Sequence, residues 1–460
     1  MKRFFTIFTL GIVSLLLSCG KSDSGSTESP APTPPIAPTI TISSFTPQSG
    51  RAGITVTIMG TAFGTDLNAV SIKFGNAVAV KPKTITPTQL SVDVPADATT
   101  GKITVSVTGS TTAISANDFT FDTTIDYSTY NKIEYTGTAS LSEARENFAA
   151  AGIGSKIVFA GGFSYTTAKD GKYSKTVDIY NTSTNAWTTA QLSEAREGLA
   201  AAAAGNKILF AGGSSETTTY SKTVDIYDVV TNTWSTAQLS EGRHKLTATA
   251  IGNLVVFSGG ANSSSSNSST VDIYDVTTNT WTTAKLSDGR RRLASASSGT
   301  KLLVAGGSFD NLDGKTVDVY DGVTKAWTTT QMSEEKSHCI GTSAGSKIVF
   351  AGNSKTADIY DVTTNKWTTA QMSTTKYDGA AASGGTKILF AGGAVPSSKA
   401  VDIFDVVSNT WTTLQLSEEK YGLAGASAAN KIIFAGGTRP ANGASTSQTT
   451  KTVDIFTLSK

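Results

Sequence analysis

An all-β chain is predicted, a β-sandwich followed by a seven-bladed β-propeller, and three observations predict it. Charged residues make up 16% of the 460, against ~25% in an ordinary soluble domain, and short Val/Ile/Phe/Tyr runs alternate with Gly, Asn and Ser clusters as strands do with turns. Residues 37–122 hold β-branched runs at sandwich spacing. From 123 to 460 the chain repeats itself, with one glycine-terminated apolar run returning seven times at spacings of 40 to 51 residues.

The first 19 residues stand apart from the fold. Lys2 and Arg3 precede "FFTIFTLGIVSLLL", an apolar run too short for a flanked membrane span, and the run ends in Leu16-Leu17-Ser18-Cys19. This order resembles the lipobox of bacterial lipoproteins. The resemblance implies acylation of the Cys19 thiol, removal of the preceding residues, and a mature chain held by lipid in the bacterial cell envelope, at the outer membrane. The alternative is an ordinary secretory signal with an incidental cysteine. Loss of Lys2 and Arg3 takes the net charge from +2 to 0, which speaks against a nucleic-acid partner or a general binder of anionic membranes. One further cysteine, Cys339, remains. No disulfide framework is possible within the mature chain, and Cys339 is expected to be a small buried hydrophobe.

Residues 20–36 are rich in Ser and Gly, then in Pro, the composition of a linker that is flexible and then extended. Between 37 and 122, "ITVTIMG", "VSIKFG", "LSVDVP" and "GKITVSVTG" are short strands bounded by Gly or Pro. The stretches 43–64, 70–77 and 90–107, with Pro47, Gly50, Gly53, Gly60 and Gly64 as punctuation, resemble the IPT/TIG immunoglobulin-like domain. That resemblance implies a spacer or an interaction module, and a passive spacer is the simpler expectation.

The repeat decides the rest of the fold. "KIVFAGG" (156–162) returns as "KILFAGG" (207–213), "LVVFSGG" (254–260), "KLLVAGG" (301–307), "KIVFAGN" (347–353), "KILFAGG" (387–393) and "KIIFAGG" (431–437). Each run is apolar on both faces and needs cover on both sides, which neighbouring blades provide. After each run come a variable loop, a "VDIY"-type strand, a turn such as "TTN" whose Asn tolerates a left-handed conformation, and usually a strand opened by Trp. Trp187, Trp234, Trp281, Trp327, Trp367 and Trp411 all occupy that place, and each is expected to bury a large surface. The order Arg, Gly-Gly, Tyr, Trp resembles the kelch repeat. The seventh unit stops at "VDIFTLSK" without its Trp strand, and "YNKIEYTGTAS" (130–140) stands where that strand is missing, with Tyr135 near the Trp position. The two ends are expected to share one blade and close the ring.

Positions identical in every blade build the frame, because a single ligand site must break the sevenfold symmetry. The "VDIY" aspartates (Asp178, Asp225, Asp272, Asp318, Asp358, Asp402, Asp454) match seven cations at the start of each blade (Arg145, Arg196, Arg243, Arg290, Lys336, Lys376, Lys420). Equal counts favour internal pairing over a ring of cations offered to a ligand. The residues just after each cation differ: Glu146-Asn147, Glu197-Gly198, His244-Lys245, Arg291-Arg292, Ser337-His338, Tyr377-Asp378 and Tyr421-Gly422. A basic sector of His244, Lys245, Arg291, Arg292 and His338, with Tyr377 and Tyr421 beside it, suits an acidic sugar or another carboxylate-bearing ligand. A solvated rim without a ligand is the alternative.

The expected role is therefore non-catalytic binding of a glycan or protein through the propeller face. A kelch-type sugar epimerase or mutarotase, with Glu146, Glu197 or His338 as acid or base, is a second possibility. A copper enzyme resembling galactose oxidase is disfavoured: that resemblance implies two His, two Tyr and a Cys–Tyr cross-link, whereas His244 and His338 belong to no Tyr-His pair and Cys339 lies directly beside His338, a poor ligand set. "FDNLDG" (309–314) lacks the glutamate spacing of a calcium loop and reads as a polar turn. No cofactor or metal is expected.

Overall fold

In a computed structural model of the chain, residues 39–50, 55–95, 98–121, 130–165, 171–217, 220–262, 266–307, 314–393, 397–440 and 448–460 are described. The leader with Cys19, the 20–36 linker and most of the "FDNLDG" turn lie outside them. The chain divides into two compact units, residues 1–122 and 123–460. No α-helix occurs among the described residues, and all regular structure beyond one short 3₁₀ turn at Leu67–Ala69 is strand.

In the first unit two four-stranded sheets face each other. One orders Thr41–Thr46, Thr55–Thr61, Gln89–Asp93 and Thr84–Thr86; the other Ser49–Gly50, Thr112–Phe121, Gly101–Val107 and Val70–Phe74. Alternation supplies the core: Val56 and Ile58, Ile72 and Phe74, Leu90 and Val92, Ile103 and Val105 are inward and wholly buried. Gly60 is a glycine by necessity, because a Cβ there would stand 1.9 Å from the Thr41 carbonyl oxygen.

The second unit holds seven four-stranded antiparallel sheets among its described residues. Their innermost strands are Ala149–Ile153, Ala200–Ala204, Thr247–Ile251, Ala294–Ser298, Ile340–Ala344, Ala380–Gly384 and Ala424–Ala428. Each of these neighbours the next, and the seventh neighbours the first, so the sheets form a closed propeller. The middle positions of these strands hold only Gly, Ala, Ser and Thr, as crowding round one axis requires: a Cβ on Gly152 would lie 2.1 Å from the Ser427 carbonyl oxygen. The second strand of each blade is buried on both faces. Ile157 and Phe159 join a core with the seventh blade, Val158 and Ala160 one with the second.

The ring closes by borrowing a strand. Lys132–Ser140 pairs with Thr452–Ser459, so Tyr135 stands opposite Phe456 as Trp187 stands opposite Tyr180 in the first blade. The rings of Tyr135 and Phe456 meet edge-to-face at 5.4 Å, and the Tyr135 hydroxyl donates to Asp454 at 3.3 Å. The tryptophans correct an expectation. Every one is half-buried rather than enclosed; Trp187, for example, leans on Tyr180 and Phe159 with ring centres at 4.9 and 6.0 Å and keeps its outer edge in water. The outermost strand of a blade has no fifth strand to cover it.

Candidate functional site

Every cation at a blade entrance is wholly buried and paired with the "VDIY" aspartate of its own blade. The N–O distances are 2.6 Å for Arg145–Asp178, 3.0 Å for Lys336–Asp358, 2.9 Å for Lys376–Asp402 and 2.7 Å for Lys420–Asp454, and the same pairs form in Arg196–Asp225, Arg243–Asp272 and Arg290–Asp318. The second carboxylate oxygen accepts an N–H from the loop that leads into the blade, from Ser142, Ser193, Ser240, Ser287, Ser333, Ser373 and Ser417, at 2.7 to 3.0 Å. One aspartate thus holds the cation and the loop together. These cations are consumed by the frame and offer a ligand nothing.

Pinning that loop fixes the residues after the cation. Two positions beyond it the backbone is left-handed in every blade, at Asn147, Gly198, Lys245, Arg292, His338, Asp378 and Gly422, with φ between 49° and 63°. A hoop of backbone hydrogen bonds joins most of them: Gly198 N–H to Asn147 C=O at 2.9 Å, Lys245 to Gly198 at 2.7 Å, Arg292 to Lys245 at 2.9 Å, Gly422 to Asp378 at 2.7 Å and Asn147 to Gly422 at 3.1 Å. The double glycines complete the joint. Gly162 (φ 106°) donates to the Arg196 carbonyl at 2.8 Å, and a Cβ on it would stand 2.7 Å from the Glu146 carbonyl oxygen.

The hoop encircles the mouth of the central channel, a cavity of about 330 Å³ lined by Glu146, Glu197, Lys245, Arg292, His338, Asp378 and Tyr421 among others. Of the residues singled out from sequence, Lys245, Arg292, His338 and Tyr421 meet there. The other three do not line it. His244 is held in a β-bridge with Ala261 and lies 5.4 Å from the Tyr220 ring. Arg291 precedes the left-handed residue instead of occupying it, and Tyr377 acts through its neighbour, with its ring centre 3.9 Å from that of His338. The idea of a purely basic sector also needs correction. Three carboxylates, Glu146, Glu197 and Asp378, share the cavity with Lys245 and Arg292. Glu146 and Glu197 directly follow their blade's cation and Asp378 stands two positions after it, and reading both positions for both signs of charge, instead of for clustered cations, would have found them.

Electrostatics sharpen the contrast. Burial holds the Glu146 carboxyl above the usual carboxylate range, with Glu197 and Asp378 adding repulsion, although the Thr438 hydroxyl donates to it. Burial pulls His338 down to about 4, and the positive charges of Arg292, Lys245 and Arg291 reinforce this against Asp378. His244 is likewise held at about 4 by burial and by Lys245. Both histidines are neutral at pH 7, so the cations of the sector are the lysine and the arginines. The His338 side chain is only 9% exposed, and neither ring nitrogen has a hydrogen-bond partner. Cys339 faces a core between two blades, and burial pushes its thiol up to about 12. Among the described residues no three His, Cys, Asp or Glu side chains converge to hold a metal ion.

Comparison with known families agrees with this architecture. Residues 147–352 match the KLHDC2/KLHL20/DRC7 Kelch-repeats domain, so the propeller unit contains kelch repeats over that stretch. Residues 40–123 match the IPT/TIG domain, and the chain therefore carries an IPT/TIG domain followed by kelch repeats. No curated protein matches the chain. Kelch repeats with an IPT/TIG domain mark a binding or protein-interaction module.

Proposed function

We propose that the propeller is a non-catalytic binding module that seats a carboxylate-bearing ligand, an acidic glycan or a peptide acid, at the mouth of its channel. One observation carries the reading. Gly198 and Gly422 occupy the left-handed position without strain, yet the equivalent residues are Lys245, Arg292 and His338, each at a conformational cost of about 1–2 kcal/mol for a residue with a Cβ. Side chains kept at strained positions around a cavity, without serving the frame, are kept for what they touch. Lys245 and Arg292 present charge there while the seven frame cations are internally paired. We further propose that a lipid on Cys19 tethers the module to the bacterial outer membrane.

Calorimetry of the full chain against uronic acids and short acidic peptides tests the reading. Binding that disappears in Lys245→Ala/Arg292→Ala, with an unchanged thermal midpoint, supports it; binding that survives the double substitution overturns it. A second reading, acid–base chemistry on a sugar, draws on the raised Glu146 carboxyl and the neutral, unpartnered His338 on one cavity. A polarimetric mutarotation assay abolished by Glu146→Gln would favour that reading over simple binding.

A further inference from the structure

The mouth carries both signs of charge; Thr438 donates to Glu146 and Asn147 to Glu197, but among the described residues no lysine or arginine pairs with either carboxylate. Going round the ring, the carboxylates Glu146 and Glu197 belong to the first and second blades, Lys245 and Arg292 to the third and fourth, His338 to the fifth and Asp378 to the sixth. Lys245 lies within electrostatic reach of Glu197 and Asp378 and of Arg291 and Arg292. Among the described residues, however, no carboxylate stands within 4 Å of Lys245, Arg291 or Arg292, in contrast to the frame cations. The lining sets these three carboxylates against Lys245 and Arg292, with Arg291 behind them in electrostatic reach of Lys245, so the cavity has two poles of opposite sign.

That layout discriminates among ligands. A purely anionic ligand held at Arg292 would face Glu146, Glu197 and Asp378 across the same small space, and a purely cationic one would face Lys245 and the arginines. Only a molecule with both charges is favoured at both poles. The seventh blade leaves room at the acidic pole: it presents Gly422, where a Cβ would stand 3.2 Å from the Glu146 carboxylate. Tyr421 lines the cavity beside it, so an aromatic side chain adjoins the ammonium seat. Between the poles stands His338, nine-tenths buried and without a partner on either ring nitrogen. A neutral imidazole has one donor and one acceptor; both nitrogens are buried, and the residue itself lines the cavity between the poles. The volume, about 330 Å³, is at the small end of ligand cavities and suits an amino acid or a dipeptide.

We infer that the mouth binds a small dipolar molecule of the amino-acid or dipeptide type, its ammonium group at Glu146, Glu197 and Asp378, its carboxylate at Lys245 and Arg292, with His338 between the two poles. The inference rests on the carboxylate-seat reading above and adds the second pole. The test is retention of ligands by the full chain in ultrafiltration with mass-spectrometric detection at pH 7. The probes are an equimolar pool of dipeptides with free termini, the same pool N-acetylated, the same pool C-amidated, and glucuronic acid. The free pool is expected to be retained, and either block to weaken retention at least about tenfold, since each removes a charge-assisted contact. In Asp378→Asn and in Glu197→Gln, each with an unchanged thermal midpoint, the preference for the free amine shrinks; in Arg292→Ala the preference for the free carboxylate shrinks. Equal retention of blocked and free pools, or no retained dipeptide, overturns the dipolar inference. If glucuronic acid is then still held in an Arg292-dependent way, the carboxylate seat stands without its acidic counterpart. If neither is held, both fall.

Discussion

Asp272→Ala tests the frame at a single atom pair. Arg243 is wholly buried; its Nη2 donates to Asp272, and its Nη1 donates to the carbonyls of Gly259 at 2.7 Å and Thr270 at 2.6 Å. The other Asp272 oxygen accepts the Ser240 N–H at 3.0 Å. Removal of the carboxylate leaves a buried guanidinium without its counter-charge, a loss of about 3–5 kcal/mol in comparable pairs, and strands one amide at about 1 kcal/mol more. The two carbonyls go on solvating the cation, so a net loss of about 4 kcal/mol is expected. Urea unfolding followed by tryptophan fluorescence measures it without interference, because all six tryptophans, from Trp187 to Trp411, belong to the propeller. Arg243→Met added to Asp272→Ala removes the orphaned charge and is expected to recover about 2 kcal/mol or more. Lys172→Ala is the control: it breaks a 2.9 Å pair with Glu143 from a side chain 60% exposed and is expected to shift stability by less than about 1 kcal/mol. An Asp272→Ala loss below about 1 kcal/mol, or a double variant no more stable than the single, would refute the reasoning.

Other expectations follow from the same geometry. Trp281→Ala is expected to lower stability by about 2 kcal/mol in urea unfolding, less than the ~3–5 kcal/mol of full enclosure, because the indole is half-buried; a loss above about 4 kcal/mol would contradict that placement. The two histidines, both held at about 4, should show no ring proton shifts by NMR between pH 7.5 and 6, and a midpoint near 6.5 for either would remove it from its buried setting. Stability should follow the same groups. Unfolded histidines take up protons near pH 6.5 and folded ones near 4, so this contribution is complete above about 6.5 and is lost as pH falls toward 4. Urea midpoints at pH 7.5, 6, 5 and 4 check the trend, and the loss should be smaller in a His244→Gln/His338→Gln variant. Cys339, buried with its thiol held at about 12, should resist iodoacetamide at pH 8 until the propeller unfolds, as peptide mass mapping would report. Gly162→Ala should be destabilising by more than about 1 kcal/mol, since its left-handed backbone and the Glu146 carbonyl both exclude a methyl group.

Much of this was legible in the residues, for reasons that differ from place to place. The glycine-terminated runs and the "VDIY" strands are local patterns repeated, and repetition makes a fold readable because each copy obeys the same steric rules. The missing seventh Trp strand was visible as a missing phrase, and Tyr135 opposite Phe456 occupies its place. The pairing of cations with aspartates was suggested by equal counts alone. Which aspartate oxygen takes the loop N–H, and that each pair lies within one blade, depends on the sheet register that sets Asp178 beside Phe159. The tryptophans misled because chemistry says only that an indole favours burial, whereas exposure is set by whether another strand lies outside it.

The sequence by itself determined that this chain is a sandwich followed by a ring of like blades, and that its individuality lies in the residues after each blade's cation. Pattern and period are properties of neighbours along the chain, so they survive without coordinates. Only the tertiary structure decided which of those residues meet. Lys245, Arg292, His338 and Asp378, left-handed two positions after their pinned cations, line the channel while their predecessors His244, Arg291, Ser337 and Tyr377 do not; in the first, second and seventh blades the residue directly after the cation, Glu146, Glu197 or Tyr421, lines it as well. And only closure of the ring sets Glu146, Glu197 and Asp378 across the mouth from them. Residues 146 and 378 are far apart in the chain, and no local rule brings opposite charges to the two sides of one small cavity.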